Sequence, residues 1–188
     1  MRDKVSETTQ NMAGQLLVAH PGLSDPNFKK SVILLSAHDI DDGSLGVILN
    51  RPLGRTLSQI NTEFSYGPLA SVPVYRGGPV QEKEIILTAW YWEPESSTFR
   101  LYFGIDENLV RELQMMHPEA EYRAFLGYSG WSGGQLEQEL TEEAWVLSPI
   151  HKESFQVIDG DDFWKRLITG IDPELGFLAD MPDDPSLN

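Results

Sequence analysis

The sequence predicts one domain of mixed α/β (α+β) structure whose sheet contains hairpins. The chain has 188 residues, of which 40% are hydrophobic and 23% charged, and these values are typical of a single folded domain. Short apolar runs alternate with turn residues along most of it, whereas helical periodicity is restricted to a few segments. Two pairs of apolar runs are separated by only a short turn, which argues against a purely parallel sheet.

Two hairpins account for four strands of the predicted sheet. The first joins Ser31–Ala37 to Leu45–Leu49, two runs rich in Val, Ile and Leu that are typical of strands covered on both faces. Residues 39–43, Asp-Ile-Asp-Asp-Gly, provide the turn between them. The second hairpin joins Ile85–Tyr91 to Thr98–Phe103, where apolar residues occupy every second position of the later strand.

About three helices are expected to flank the sheet. Over 107–116, apolar residues recur at i, i+4 and i+7, and a His-Pro pair ends the pattern. A second helix is predicted from about 134 to 140. A third begins near 159–162 and ends at Gly170. Its acidic residues lie at the N-terminal end and its basic residues follow, an order that complements the helix dipole.

Both ends of the chain are predicted to lie outside the domain. Residues 1–12 are polar and show no period, so we expect a loose arm. Residues 13–178 form the single domain, because neither an internal repeat nor a flexible linker divides them. Residues 179–188 are rich in Asp and Pro and are predicted to form an acidic tail.

The charge of the chain is strongly acidic and unevenly distributed. There are 14 Lys and Arg against 29 Asp and Glu, a formal net charge of −15. Residues 1–80 are neutral, so the whole surplus lies in residues 81–188. A field of this sign repels phosphate backbones and anionic lipid surfaces. We therefore expect neither direct nucleic-acid binding nor membrane binding.

Most cofactor and catalytic signatures are absent from the sequence. There is no cysteine, which excludes disulfides, thiolate metal sites and thiol catalysis. No His-x-x-x-His pair, dinucleotide fingerprint, P-loop or Gly-x-Ser-x-Gly elbow occurs. No cofactor or metal is therefore predicted. The chain has neither a long apolar run nor a signal-peptide pattern at its start, so the expected location is cytoplasmic.

Three segments rich in glycine and proline follow predicted strands, and they form the candidate site. Strand-end loops often carry binding residues, and glycine lets a ligand or another backbone approach closely. Two of the segments also carry arginines, which could bind a protein partner, hold a small anionic ligand, or pair with acids of the same chain. A purely structural role in turns is the alternative for each segment. The candidate residues are Asn50, Arg51, Pro52, Arg76, Gly77, Gly78, Pro79, Gly130, Trp131 and Gln135.

An enzymatic alternative is centred on His20 and Asp25. His20 ends the first predicted strand beside a proline, which is a more functional position than those of the other three histidines. A histidine with a nearby carboxylate could support acid–base or metal-assisted hydrolysis. This alternative requires the two side chains to meet in a cleft.

An ordered series of strings resembles the AlgH/YqgE family. They read Gly-Gln-Leu-Leu-Val-Ala-His-Pro at 14–21, Leu-Gly-Val-Ile-Leu-Asn-Arg-Pro-Leu at 45–53, Gly-Gly-Pro-Val at 77–80, Phe-Leu-Gly-Tyr-Ser-Gly-Trp at 125–131 and Gly-Gln-Leu-Glu at 134–137. The resemblance implies a single domain with a bifurcated sheet bent into a pseudo-barrel. It transfers no catalytic motif. One branch of the family is described as a regulator of alginate production, and no helix-turn-helix is evident here.

These observations lead to one main hypothesis. The chain is predicted to be a non-enzymatic binding or regulatory domain of the cytoplasm. Its predicted surface joins the three loops in one groove, and its partner is an unidentified protein or a small anionic ligand.

Overall fold

The computed structural model describes residues 11–152 and 160–181. Within these ranges the strands are β1 Leu16–Ala19, β2 Val32–Asp39, β3 Gly43–Ile48, β4 Pro52–Thr56, β5 Pro73–Arg76, β6 Val80–Trp92, β7 Phe99–Phe103, β8 Glu121–Trp131 and β9 Trp145–Ser148. The helices are α1 Leu57–Ile60, α2 Glu107–Met116, α3 Gln135–Thr141, α4 Gly160–Ile171 and α5 Pro173–Asp180. A short 3₁₀ turn spans Thr62–Phe64.

The strands form one mixed sheet that branches at β8. The main path runs β4-β5-β8-β3-β2-β1-β9, and the β6–β7 hairpin leaves it at β8. The first half of β8 lies between β5, which is parallel to it, and the antiparallel β6. Its last residues, 129–131, pair instead with β3. The sheet curls into a half-barrel, and the predicted bifurcated α+β fold is confirmed.

The predicted hairpins are present with defined registers. In the first, β2 pairs with β3 so that His38 lies opposite Ser44, and a bulge occurs between Leu35 and Ala37. In the second, Trp90 of β6 lies opposite Leu101 of β7. The alternating apolar residues of β7 pack against the core, as their period indicated.

The described part of the chain has five helices where about three were expected. α2 has the predicted bounds, and the Asp106 side chain caps it by accepting a hydrogen bond from the Leu109 backbone. The additional helices are α1 and α5. α1 has only four residues, too few to show a helical period, and α5 begins at Pro173 directly after α4 ends.

Two apolar clusters hold the sheet and helices together. The larger one lies among β1, β2, β3 and α4 and includes the fully buried Leu16, Leu34 and Phe163. The Trp164 indole of α4 also donates a 2.7 Å hydrogen bond to the Ala19 carbonyl. The smaller cluster lies among α1, β5, β8 and α2. Burial of both clusters positions the ends of β3, β5 and β8 next to one another.

The predicted arm at 1–12 and the predicted tail at 179–188 fall largely outside the described residues. Where the description begins, Met12 is buried against the larger cluster. Where it ends, α5 continues to Asp180. Among the residues between, no helix is long and apolar enough to cross a bilayer.

Candidate functional site

The first predicted segment begins with an asparagine whose polar atoms are all engaged by the fold. Asn50 is 2% exposed. Its Oδ1 accepts a hydrogen bond of 2.9 Å from the Val32 backbone, and its Nδ2 donates to the carbonyls of Lys30 and Gly160, each at 2.9 Å. Asn50 therefore ties the start of β2 to the start of α4, and its role is structural.

The two predicted arginines have different partners. The half-buried Arg51 donates a 2.6 Å hydrogen bond from Nη2 to the Lys29 carbonyl, and no carboxylate in the described ranges pairs with it. Arg76 forms a 2.6 Å ion pair with Glu82 at the surface. Because Arg76 is engaged with an acid of the same chain, the two arginines do not form an open cationic site. Pro52 follows as the exposed first residue of β4.

The glycines of the second segment allow the backbone to pack at the branch of the sheet. The Gly77 backbone donates a 2.8 Å hydrogen bond to the Leu126 carbonyl. A Cβ on Gly77 would lie 2.2 Å from the Gly127 oxygen, and one on Gly78 would lie 2.2 Å from the Tyr128 carbonyl. These distances leave no room for a side chain at either position. The exposed Pro79 follows them.

The third segment contributes a tryptophan that belongs mainly to the core. Trp131 is 6% exposed. Its indole Nε1 and that of Trp145 donate to Oε2 of Glu139, at 2.9 and 2.8 Å. Gln135 donates from Nε2 to Oε1 of the same carboxylate at 2.9 Å, and its Oε1 accepts from the Ser132 backbone. Glu139 thus fixes both rings and the start of α3.

Replacing Glu139 with glutamine is expected to lower the free energy of unfolding by about 1–2 kcal/mol. The charge-assisted hydrogen bonds of the carboxylate are lost, and the glutamine NH₂ group would face an N–H donor. The change should also shift the emission of Trp131 and Trp145. Chemical denaturation followed by tryptophan fluorescence tests both effects. Glu142→Gln is the control, since Glu142 accepts a hydrogen bond from the exposed Gln138 at the surface of α3. Equal stabilities of the two variants would contradict this role of Glu139.

A groove with a volume of about 480 Å³ lies between β3 and the end of β8, and we call it the β3–β8 groove. Gly130 is exposed in it, and a Cβ there would make ordinary contacts with the Tyr128 ring, at 3.4 Å, and with the Ser44 carbonyl oxygen, at 4.0 Å. Packing of the fold therefore does not require glycine at this position. Because Gly130 has no side chain, the groove is open there. The residues that line the groove are Ala37, Asp42, Gly43, Ser44, Leu45, Val80, Tyr128, Gly130, Trp131 and Ser132.

A row of three polar side chains lies on the face of β3 opposite to Leu45 and Gly130. Ser44 Oγ lies 2.8 Å from His38 Nδ1, and His38 Nε2 lies 3.4 Å from Glu137 Oε1. The His38 side chain is only 2% exposed and that of Glu137 is 27% exposed. Beside them, the backbone N–H groups of Asp42 and Asp41 hold the pKa of Asp39 below its usual range.

Sequence reasoning missed this row, although one signal for it was available. The predicted hairpin with a turn at 39–43 places 38 directly opposite 44, so His38 and Ser44 could have been paired from the register alone. Glu137 could not have been placed beside them from the sequence, because only the curvature of the folded sheet brings α3 next to the hairpin.

The three predicted loops are neighbours, but they do not form one groove. The Arg76 backbone donates to the Arg51 carbonyl at 2.9 Å, which joins the first loop to the second. Val80, just after the second loop, pairs with Tyr128 of the third. Only Gly130 and Trp131 among the ten candidates contribute to the β3–β8 groove.

His20 and Asp25 are not brought together as an acid–base pair. His20 Nδ1 accepts a 3.1 Å hydrogen bond from the Gly22 backbone, and Asp25 Oδ1 accepts one of 2.8 Å from the Asn27 backbone. No ion pair links them, and the residues that the structure describes contain no group of three side chains suited to a metal ion. His20 does line a separate cleft of about 390 Å³ beside Trp164.

Comparison with known proteins places this fold in a family. A family model described as AlgH-like matches residues 16–175. The chain belongs to the AlgH-like family. The AlgH-like chain is 35% identical over 189 residues to a UPF0301 protein of Streptomyces coelicolor, covering 95% of this chain and 96% of that one. It is 32% identical to a UPF0301 protein of Parabacteroides distasonis, covering 93% and 90% of the two chains.

Two solved structures share the fold of the AlgH-like chain. One is the crystal structure of protein DIP2367 from Corynebacterium diphtheriae, with a TM-score of 0.69 and 22% identity over 96% of this chain and 95% of that chain. The other is the solution structure of the AlgH protein from Pseudomonas aeruginosa, with a TM-score of 0.63 and 23% identity over 98% and 100%. Membership of the AlgH-like family supports the fold and assigns no chemistry.

Proposed function

We propose that this chain is a ligand-binding domain of the cytoplasm with a regulatory role, and that its ligand site is the β3–β8 groove. The observation that carries the proposal is the open position at Gly130, where the fold tolerates a side chain yet none is present. The volume of about 480 Å³ lies within the range of small-molecule sites, about 300–1,000 Å³.

The lining of the groove defines the class of ligand. Leu45, Val80 and Tyr128 supply apolar and aromatic surface, and the exposed Ser132 is a polar lining residue. No Lys or Arg is among the described lining residues, whereas Asp42 is one of them. These features favour a neutral, partly apolar small molecule with a polar group. They do not favour the anionic ligand considered from the sequence, because the arginines are engaged elsewhere.

Filling the groove is expected to abolish binding without unfolding the domain. Gly130→Val places a branched side chain in the groove and suits a strand, since a Cβ there makes ordinary contacts with Tyr128 and the Ser44 carbonyl. Saturation-transfer NMR with a collection of neutral aromatic and aliphatic fragments provides the measurement. We expect some fragments to bind the wild-type chain with a Kd of about 1 mM. None of these fragments should bind Gly130→Val.

The matched control is Gly170→Ala on α4, where a Cβ meets no atom within 4 Å. This variant should bind the same fragments as the wild type. Circular dichroism melting confirms that all three proteins are folded. Retention of the fragments by Gly130→Val, or a lack of any fragment binding to the wild type, contradicts the proposed function.

A further inference from the structure

Helix α5 carries apolar residues on two sides, and only one of these sides is packed. Leu175 and Ala179 face inward and pack against the larger apolar cluster. On the outer side Phe177 is 71% exposed, Leu178 is 44% exposed and Met181, the C-terminal cap, is 56% exposed. Surfaces normally carry single exposed apolar side chains, whereas adjacent ones mark interaction sites. The outer side of α5 is therefore a candidate docking surface.

The helix is fixed to its neighbour, so its outer side is a preformed surface. Gly176 lies so close to α4 that a Cβ on it would be 2.7 Å from Thr169 Oγ1. Lys165 of α4 pairs with Asp180 at the far end of α5. The Asp172 side chain caps the start of the helix by accepting a hydrogen bond from a backbone N–H of the first turn. A surface that is already ordered costs a partner little conformational entropy on binding.

Part of this surface is a hollow with a volume of about 480 Å³. Its lining consists of Pro173, Glu174, Phe177 and Leu178, so one carboxylate lies among three apolar side chains. We call these four residues and Met181 the α5 face. None of the five lines the β3–β8 groove, so the α5 face is separate from the proposed ligand site.

The electrostatic surroundings of the α5 face are acidic. Residues 172–181 contain three acidic side chains and no Lys or Arg. One of these acids, Glu174, is exposed in the hollow itself. The chain as a whole carries a net charge of −15. A partner that approaches the α5 face is therefore attracted if it is basic and repelled if it is acidic.

This charge distinguishes one occupant from the others. A second copy of the chain would bring a second set of acids against the first. Residues 182–188 contain two further Asp and no Lys or Arg, so they do not complement the face. An anionic lipid surface has the same sign of charge. A basic segment of another protein is the occupant whose charge fits.

We propose that the α5 face binds an amphipathic helix of a partner protein whose polar side is rich in Lys and Arg. An apolar side chain of the partner fills the hollow beside Phe177, and a neighbouring Lys or Arg pairs with Glu174. Docking of the apolar side of a helix on such a surface is a common mode of recognition, and aromatic anchors contribute much of its energy. This inference goes beyond the proposed function, because docking at α5 does not require the β3–β8 groove.

A designed peptide is the probe for this chemistry. It is about 15 residues long, has Leu at a helical period and Lys at the other positions, and carries a fluorescent label. Fluorescence anisotropy at about 0.15 M salt measures its affinity for the full chain. We expect a Kd of about 10 μM. A second peptide with Glu in place of every Lys should not bind.

Two substitutions on the face separate docking from general attraction to an acidic protein. Phe177→Ala should weaken binding of the Lys peptide about 10-fold or more, because the aromatic anchor is lost. Glu174→Gln should weaken it about 2–5-fold, the range of an exposed ion pair. Met115→Ala and Glu112→Gln are the matched controls, because these α2 side chains are also exposed, and both should bind like the wild type. Melting temperatures verify that all four variants are folded.

Several results would overturn the proposal. These are failure of the Lys peptide to bind, equal binding of the Glu peptide, and equal loss of affinity in the α5 and α2 variants. A dimer in sedimentation equilibrium that Phe177→Ala dissociates would assign the face to a second copy. Pelleting with phosphatidylglycerol vesicles that Phe177→Ala abolishes would assign it to a membrane. The fragment experiment tests the β3–β8 groove separately, so failure at α5 leaves the proposed ligand site standing.

Discussion

Gly77→Ala is expected to lower the free energy of unfolding by about 3 kcal/mol or more. The Cβ of alanine would lie 2.2 Å from the Gly127 oxygen and 3.0 Å from the Phe125 Cβ. Both neighbours are held in β8, which pairs with β5 and β6 on its two sides. The β8 backbone cannot move away from residue 77 without breaking hydrogen bonds to β5 or β6. The steric clash therefore cannot be relieved locally.

Urea denaturation of Gly77→Ala and Gly170→Ala measures this effect. Both glycines have backbone angles open to alanine, but a Cβ on Gly170 meets nothing within 4 Å. Gly170→Ala lies in α4 and should stabilise the protein by about 0.5–1 kcal/mol through helix propensity. The branch of the sheet would not depend on close packing at Gly77 if the two variants had similar denaturation midpoints.

Asn50→Ala is expected to cost about 3 kcal/mol of unfolding free energy. The substitution removes three hydrogen bonds and leaves the Val32 N–H without its acceptor in a buried position. Each lost bond contributes about 1 kcal/mol, and an unsatisfied buried donor costs about 1–3 kcal/mol. The loss should also loosen α4, because one of the three bonds ends on Gly160.

Asn61→Ala is the matched control, because Asn61 accepts from the Glu63 backbone at an exposed position. Asn61→Ala should lower the free energy of unfolding by about 1 kcal/mol, the value of a lost helix cap. Hydrogen exchange adds a local measurement, since the Val32 amide should lose protection in Asn50→Ala alone. If Asn50→Ala kept wild-type stability, the assignment of Asn50 to the fold would be wrong and a role in binding would regain support.

Several elements were predictable because their determinants are local. The β2–β3 hairpin follows from two apolar runs and an Asp-Gly turn, and its register follows from the turn. The bounds of α2 follow from a 3.6-residue period with a capping aspartate before it and a His-Pro pair after it. The single turn of α1 was not predictable, because four residues carry no period.

The roles of the candidate residues depended on long-range contacts. The sequence singled out Asn50 and the Gly77-Gly78 pair as special, but a ligand site and a packing site demand the same residue types. The structure assigns them to packing, because Asn50 bonds across 110 positions to Gly160 and Gly77 lies against Gly127. Arg76 likewise finds Glu82 of its own chain.

By itself the sequence determined the fold class, the hairpins, the principal helices, the family and the acidic field, since these depend on composition, period and ordered motifs. Only the tertiary structure decided where the open surface lies and which polar side chains meet beside it. The physical reason is the branch at β8. It brings the β2–β3 hairpin, the end of β8 and α3 together, so Ser44, His38 and Glu137 form one row. Only His38 and Ser44 are neighbours by local register. Glu137 joins them through the curvature of the sheet, which no local pattern in the chain specifies.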